Sequence, residues 1–371
     1  MFEVIKGPIY EHKQTKKLLQ YLPKKSIVYL WHEDLDGVAV NGLIQAKVKA
    51  VINAKTSMSG KYTQRHVRTL LKAGIAVFDI ISIFNRDSPY KGEQAFIYQN
   101  GLYVEKDGET ECVAELLSYD DHVIKRKESL AITNYPNQFE DFVKNTLHYA
   151  SQECDWFKEK PVLPIPLKKL RGETVFIVAR NTDYEKDIKA LYPTLKRKQS
   201  IVIAVDGAAD GLMKYRICPD FIVGDMDSIS EKTLNCGATL ICHQHPNGRS
   251  PGKDRLMKMG IEAELIRFVG TSEDVALTAA FWSDARKLFL IGCRTGMTEF
   301  LEKGRAGMGA TWLARMQAGE RITDLKGIHQ LYSKPTLPVF GLSRFEKPSI
   351  ISMIQTFFQE RIPSWKKKEV L

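Results

Sequence analysis

Short apolar runs alternate with helical patterns in the first part of the chain. "SIVYLWH" (26–32), "KAVIN" (49–53) and "IAVFD" (75–79) are continuous apolar segments of strand length, a pattern typical of parallel strands that are buried on both faces. The stretches "GVAVNGLIQAK" and "QRHVRTLLKAG" between them have helical spacing and are predicted crossovers. Residues 1–92 are therefore predicted to form a small α/β domain.

The pattern changes in the next part of the chain. Residues 93–135 are predicted to form a β-rich segment, with turns at "QNG" and "KDGE" between short strands. Residues 136–171 are predicted to form a helix, "NQFEDFVKNTLHYASQECDWF" (137–157), and then a proline-containing linker. These segments would connect the N-terminal domain to a second α/β unit.

The second unit, residues 172–335, has apolar runs separated mostly by helical patterns. The runs are "TVFIVA" (174–179), "SIVIAV" (200–205), "DFIVG" (220–224), "ATLIC" (238–242), "AELIRFV" (263–269) and "KLFLIG" (287–292). This pattern predicts a doubly wound, mostly parallel sheet covered by helices on both faces. A long helical stretch is predicted at about 298–317, and a tail with an amphipathic helix at 336–371.

Aspartates follow several of these predicted strands. Asp206 comes directly after one run, Asp225 and Asp227 after the next, and Asp274 after "AELIRFV" and a short turn. Because parallel strands end at the same edge of a sheet, these carboxylates are expected on one rim, where ligands of open α/β sheets bind. Neighbouring carboxylates repel, and Mg²⁺ shared with substrate phosphates would relieve that repulsion. The alternative is that they are ordinary helix-capping and turn aspartates.

The stretch "VDGAADGL…PDFIVGDMDSIS" resembles the nucleotide-binding signature of thiamin pyrophosphokinase catalytic domains, over about 172–300. The resemblance implies a sheet of thiamin pyrophosphokinase type, with Asp206, Asp225, Asp227 and Asp274 as catalytic residues. It implies that the last three hold Mg²⁺ and the phosphates of ATP or another nucleoside triphosphate. The family reaction moves a pyrophosphoryl group from ATP to the thiamin hydroxyl, mainly by positioning and charge neutralisation.

Further positions around the strand ends are predicted to contact nucleotide or phosphate. They lie near the carboxyl edge or in the basic loop "HPNGRSPGKDR" (245–255). They are Arg180, Gly207, Ala208, Asp210, Gly224, Ser228, Arg249, Lys253, Thr271 and Ser272. Ala208 and Asp210 depart from the family signature, which has glycine and asparagine there. In that family a C-terminal β-domain supplies much of the thiamin pocket, whereas the residues after Tyr332 are predicted here to form a loop and a helix, so the thiamin-binding half of the site is expected to differ.

A second resemblance covers nearly the whole chain. "HEDLDGVA", "VINAKTSMSGKY", "GDMDSIS", "GTSEDVAL" and "EFLEKGRAGMGATWLARM" resemble the SteA-like family, described as cytokinetic ring proteins with a thiamin-pyrophosphokinase-like domain. This implies a bacterial cytoplasmic protein that acts at the division septum with a partner. One hypothesis is a nucleotide-binding division protein whose ligand state controls partner contacts. Another is an active thiamine diphosphokinase acting on thiamin or another alcohol. A third is a structural domain with an unused site.

Charge and cysteine content indicate which ligands, metal sites and cellular location to expect. The net charge is +10, but no nucleic-acid-binding pattern accompanies it, so nucleotide phosphates or an anionic membrane are favoured over nucleic acid. The six cysteines are scattered without a CxxC pair, which argues against a zinc site or a disulfide framework and fits a reducing cytosol. No signal peptide or spanning segment is evident, so a cytoplasmic location is expected, with a homodimer possible.

Four other features each have two interpretations. His32, Asp34 and Asp36 in "WHEDLDGVAV" could bind a metal or form a helix-capping turn. The segment "TSMSGKYT" (56–63) could bind an anion or be a tight turn. Three basic residues of the divergent segment could contact an anionic ligand or form helix-surface pairs: Arg294, Lys303 and Arg305. The tail segment 349–368 could contact a membrane surface weakly, dock a partner, or pack on its own domain.

Overall fold

The N-terminal strands form a closed seven-stranded barrel in the computed structural model, which describes residues 4–85, 89–106, 108–197 and 200–332. The strands are β1 (Ile5–Glu11), β2 (Ile27–Leu30), β3 (Ala50–Asn53), β4 (Ala76–Ile83), β5 (Lys91–Tyr98), β6 (Gly101–Lys106) and β7 (Glu109–Ser118). Helices α1 (Thr15–Tyr21), α2 (Gly37–Gln45) and α3 (His66–Lys72) lie between the first four strands. The three predicted buried strands are confirmed as β2, β3 and β4. The predicted tail helix lies outside the described residues.

Barrel closure was not predicted. Strands β1 to β4 pair in parallel, whereas β7 pairs antiparallel with β4 and β5 pairs antiparallel with β1. The β-rich segment is therefore part of the N-terminal sheet. Alternate residues of β2 divide between two cores: Ile27 and Tyr29 belong to the barrel interior, whereas Val28 and Leu30 pack with the surrounding helices.

A long helix, α4 (Asp121–Glu153), follows the barrel, and α5 (Asp155–Lys158) follows it. The prediction of a β-rich segment to residue 135 is therefore wrong beyond β7, because α4 begins at Asp121. The side chain of Asp120 accepts a hydrogen bond from Val123 N at 2.7 Å and begins the helix. Pro136 lies inside α4. Among the described residues, no helix is both long and apolar enough to cross a membrane.

The second sheet confirms the prediction of parallel strands. Its strands are β8 (Thr174–Val178), β9 (Ile201–Val205), β10 (Phe221–Gly224), β11 (Thr239–Gln244), β12 (Glu264–Arg267), β13 (Lys287–Ile291) and β14 (Ile322–Asp324). Their spatial order is β12-β11-β10-β9-β8-β13-β14, and every pairing is parallel. The chain builds outward from β8 in one direction and returns to its other side with β13. The carboxyl ends near this reversal are where ligands bind in such sheets.

Helices cover both faces of this sheet. They are α6 (Tyr184–Ala190), α7 (Tyr192–Leu195), α8 (Ala208–Lys214), α9 (Glu231–Leu234), α10 (Pro251–Lys258), α11 (Ser272–Trp282), α12 (Met297–Leu301), α13 (Gly309–Ala318) and α14 (His329–Tyr332), with 3₁₀ turns at Ile165–Leu170 and Gly319–Arg321. Two separate apolar cores lie on the two faces. The prediction of one continuous helix at 298–317 is wrong. The glycine-containing segment 302–308 separates two helices, α12 and α13.

Candidate functional site

Asp206 lies where β9 ends and approaches the end of β10 closely. Its backbone is left-handed, with φ of 46°, and its Oδ1 accepts a hydrogen bond from Met226 N at 3.1 Å. Gly224, the last residue of β10, has φ of 143°, and a Cβ there would lie 2.6 Å from Asp206 Oδ2 and closer still to Oδ1. Gly224 is therefore required for space as well as for conformation. Asp206 therefore lies directly against the end of β10, on the rim where the carboxylates were expected.

The charge on Asp206 is unfavourable in this environment. Burial raises its pKa, a hydrogen bond with the Ser272 side chain opposes that effect, and the negative charges of Asp225 and Asp227 raise it further, to about 6. Three of the four predicted rim carboxylates thus lie close enough to influence one another. A cation beside them would favour ionisation of Asp206.

Asp227 forms an ion pair with the N-terminal barrel. Lys16 Nζ, on α1, lies 2.6 Å from Asp227 Oδ2, and more than half of the Asp227 side chain is exposed. The prediction that Asp227 binds metal stays a prediction. The contact nevertheless places a barrel cation directly at the rim of the second sheet, which the sequence did not indicate.

Asp274 is the fourth predicted carboxylate and acts as a helix cap. Its Oδ2 accepts hydrogen bonds from Thr271 N at 2.8 Å and from Thr311 Oγ1 at 2.9 Å, while Thr271 Oγ1 accepts from Asp274 N. The residue is 2% exposed, and burial raises its pKa. The capping alternative is confirmed for Asp274 and Thr271, and a metal would have to compete with these partners.

Several predicted phosphate contacts cluster where β8, β9 and β10 end. Gly207 N donates to Ser228 Oγ at 3.2 Å, and a guanidinium nitrogen of Arg180 lies 3.0 Å from where a Gly207 Cβ would be. Ala208, the first residue of α8, is fully buried. Asp210 instead accepts from Ser230 Oγ at 2.6 Å, beside the start of α9. Arg180, Gly207 and Ser228 therefore form the most compact candidate phosphate contact.

The basic loop residues are less clearly part of this cluster. Lys253 lines a surface hollow of about 690 Å³ that extends along α10 to the amino ends of β11 and β12. Its neighbour Gly252 packs against the backbone of Asp225, so the start of α10 lies beside the carboxyl edge. The backbone N of Arg249 donates to Asn247 Oδ1 at 3.1 Å, within the loop itself. Their roles in phosphate binding stay predictions.

Two histidines that the sequence analysis did not single out lie beside Asp225. His243 Nδ1 and His245 Nε2 are 3.8 and 3.9 Å from Asp225 Oδ1. Both follow the apolar part of β11, two residues apart, so an extended backbone places them on one face. The spacing "HQH" at a strand end was the available signal.

The acidic turn after β2 contacts the second domain. Asp36 accepts from Ala39 N at 2.8 Å and caps α2, and Lys303 Nζ lies 2.7 Å from Asp36 Oδ2. Although burial opposes ionisation, the charges of Lys303 and His32 and these hydrogen bonds lower the pKa of Asp36 to about 2. The capping interpretation is thus confirmed for Asp36, and Lys303 binds a barrel carboxylate.

The neighbouring features also have internal partners. Asp34 accepts from Ser59 N and from Ser59 Oγ, each at 2.7 Å, which ties the acidic turn to the segment 56–63. Arg294 pairs with the buried Glu273. These contacts favour the structural interpretation of 56–63 and of Arg294.

Part of the second domain is similar to a known protein family. Residues 192–246 match the family model for the thiamin pyrophosphokinase catalytic domain. The matched segment runs from α7 to just beyond β11 and includes Asp206, Asp225 and Asp227. No curated protein matches the chain.

Two solved structures show weak similarity. Thiamine pyrophosphokinase from Bacillus subtilis is 20% identical, with a TM-score of 0.26, over 41% of this chain and 58% of that one. This chain thus spans little more than half the length of that enzyme. A 3-isopropylmalate dehydratase from Methanocaldococcus jannaschii is 11% identical, with a TM-score of 0.24, over 37% of this chain and 96% of that one.

Proposed function

We propose that this chain is a Mg²⁺–nucleotide-binding protein that holds ATP or another nucleoside triphosphate at the carboxyl edge of its second sheet. The observation that carries the proposal is the grouping of Asp206, Asp225 and Asp227 at the ends of β9 and β10, within the segment that matches the family model. The charges of Asp225 and Asp227 raise the pKa of Asp206, and a divalent cation at this edge would offset that repulsion.

The side chains of this edge suit Mg²⁺ and phosphate. Carboxylate oxygens are the ligands that Mg²⁺ prefers, and Asp225 and Asp227 would hold it together with phosphate oxygens. Bound Mg²⁺ would neutralise phosphate charge. The Arg180 guanidinium beside Gly207 would bind phosphate directly, since Arg180 lies at the end of β8 next to the rim.

We further propose that the bound ligand changes the contact between the two domains and thereby the contacts with a partner protein. Lys16 of the barrel forms an ion pair with Asp227. A cation–phosphate complex that recruits Asp227 must compete with that ammonium group. Ligand binding at the rim would therefore be coupled to the position of α1.

The biological setting of the proposal rests on the resemblance to SteA-like proteins. By that resemblance the chain would act in bacterial cell division, in the cytoplasm or at the membrane by the septum, with a division protein as partner. A homodimer and a weak membrane contact through 349–368 belong to the same proposal. If the chain has no role in cell division, the proposal that it binds a nucleotide still holds.

The second candidate function is an active thiamine diphosphokinase that transfers pyrophosphate from ATP to thiamin or another alcohol. The family match over residues 192–246 favours it. The two functions differ in turnover.

The experiment is equilibrium dialysis of labelled ATP with and without Mg²⁺, followed by measurement of AMP release with and without thiamin. Our proposal predicts Mg²⁺-dependent binding with no thiamin-dependent AMP. Thiamin-dependent AMP release would establish the enzyme instead, and absence of Mg²⁺-dependent ATP binding would contradict both.

A further inference from the structure

His243 is held with one ring nitrogen turned to Asp225. Its side chain is 1% exposed, and Nε2 lies 3.0 Å from the carbonyl oxygen of Phe268. Because a carbonyl oxygen only accepts hydrogen bonds, Nε2 carries the proton and Nδ1 presents a lone pair. That lone pair is on the nitrogen nearest to Asp225 Oδ1, at 3.8 Å.

Asp225 Oδ1 is buried and has no hydrogen-bond partner. The separations of 3.8 Å to His243 Nδ1 and 3.9 Å to His245 Nε2 are too long for hydrogen bonds. A buried carboxylate oxygen without a partner is costly, so it indicates a missing ligand. The three atoms all lie within 4.8 Å of one another, and the imidazole rings are 4.5 Å apart between centroids.

We propose that Asp225, His243 and His245 bind a divalent transition metal, with Zn²⁺ as the ion best suited to the site. Imidazole nitrogens favour zinc and similar ions, whereas Mg²⁺ prefers oxygen ligands. Tetrahedral ligands of Zn²⁺ are about 3.4 Å apart. The two contacts of Asp225 Oδ1, at 3.8 and 3.9 Å, are each within about half an ångström of that separation. The two histidine nitrogens lie within 4.8 Å of each other, and rotation of the partly exposed His245 side chain would bring them together. The hydrogen bond from His243 Nε2 to a carbonyl is the outer contact that orients metal-binding histidines.

Three protein ligands leave a fourth tetrahedral position for water or an incoming oxygen. The metal would therefore lie at the edge of the proposed nucleotide site, because Asp225 belongs to both. Because the metal would bind without a nucleotide, this proposal can be tested separately from the proposed nucleotide binding. The scattered cysteines argued against a zinc site, and this proposal departs from that expectation because its ligands are histidines and a carboxylate.

The test is titration of the full chain with Co²⁺, read by its visible absorption, followed by displacement with Zn²⁺. The parent carries Cys218→Ser, since Cys218 is an exposed free thiol that could bind metal by itself. The variants are His245→Gln, at a partly exposed ligand, and Asp225→Asn. The matched control is His122→Gln on the exposed surface of α4.

The parent and the control should each bind one equivalent of Co²⁺, which excess Mg²⁺ does not displace. Both ligand variants should bind at least about 10- to 100-fold more weakly, because even the loss of an outer contact costs that much. The proposal is overturned if His245→Gln binds as the parent does, if millimolar Mg²⁺ displaces the metal, or if the parent, which lacks the Cys218 thiol, binds no Co²⁺. Circular dichroism of each variant verifies folding, and His243→Gln provides a second ligand variant.

Discussion

Replacing Gly224 with alanine tests whether Asp206 is held against the end of β10. Gly224 has φ of 143°, and forcing a non-glycine residue into this region costs about 1–3 kcal/mol. The new Cβ would also lie 2.6 Å from Asp206 Oδ2. Asp206 is fixed by its hydrogen bond to Met226 N, so overpacking adds about 1–3 kcal/mol. We expect Gly224→Ala to lower the free energy of unfolding by about 2–6 kcal/mol.

A matched glycine separates the two effects. Gly237 has φ of 91°, and no atom lies within 4 Å of the position that a Cβ would take there, so Gly237→Ala should show backbone strain alone. In an Asp206→Ala background, Gly224→Ala should lose its steric cost, giving a coupling energy of about 1–3 kcal/mol. The assay is urea unfolding followed by circular dichroism. Equal effects of the two glycine substitutions, together with zero coupling, would refute the placement of Asp206.

Three further substitutions test the rim and its contact with the barrel. The pKa of Asp206 is about 6 in the folded protein and 3.8 ordinarily, so the folded protein binds this proton more tightly than the unfolded chain does. The free energy of unfolding should therefore fall as the pH rises from about 4 to about 7. Asp206→Asn should remove up to about 3 kcal/mol of that fall, measured by urea unfolding. Lys303→Met should destabilise the protein by about 3 kcal/mol at pH 7, because Asp36 stays buried without its partner. That loss should shrink as the pH falls from about 4 through about 2, the pKa of Asp36 in the folded wild type, because protonation removes the charge that Lys303 neutralises. Lys16→Met should raise Mg²⁺–ATP affinity by up to about fivefold in equilibrium dialysis, since it removes an exposed competitor for Asp227; weaker binding would mean that Lys16 contacts the ligand.

The strands of the second sheet were predictable because each is buried on both faces. A run such as "SIVIAV" has no polar interruption, and β9 occupies Ile201–Val205 within it. The rim followed from the same logic, since parallel strands share a carboxyl edge. Asp206, Asp225 and Asp227 were therefore placed together correctly from their positions along the chain.

The barrel closure was not predictable from local pattern. Strand β5 pairs with β1 across about 90 residues, and nothing in either segment specifies that partner. The start of α4 was missed because Pro136 lies within the helix and is usually a boundary signal. The capping aspartate, Asp120, was the better signal.

The contacts between domains also lay beyond sequence reasoning. Lys16 and Asp227 are 211 residues apart, and Lys303 and Asp36 are 267 apart. Only the folded arrangement brings these charges together. Asp274 shows the converse, because its helix-cap role is local and the pattern "GTSE" before "DVAL" already indicated it.

The most direct test of nucleotide binding at the rim is calorimetric titration of Mg²⁺–ATP into the full chain and into the Asp225→Asn/Asp227→Asn double variant. The control is Asp141→Asn/Asp155→Asn, which makes the same charge change at exposed positions away from the rim. We predict that wild type and control bind ATP in the presence of Mg²⁺ and that the rim variant does not. Equal binding by all three proteins, or no binding by wild type, would contradict a nucleotide site at this edge of the sheet.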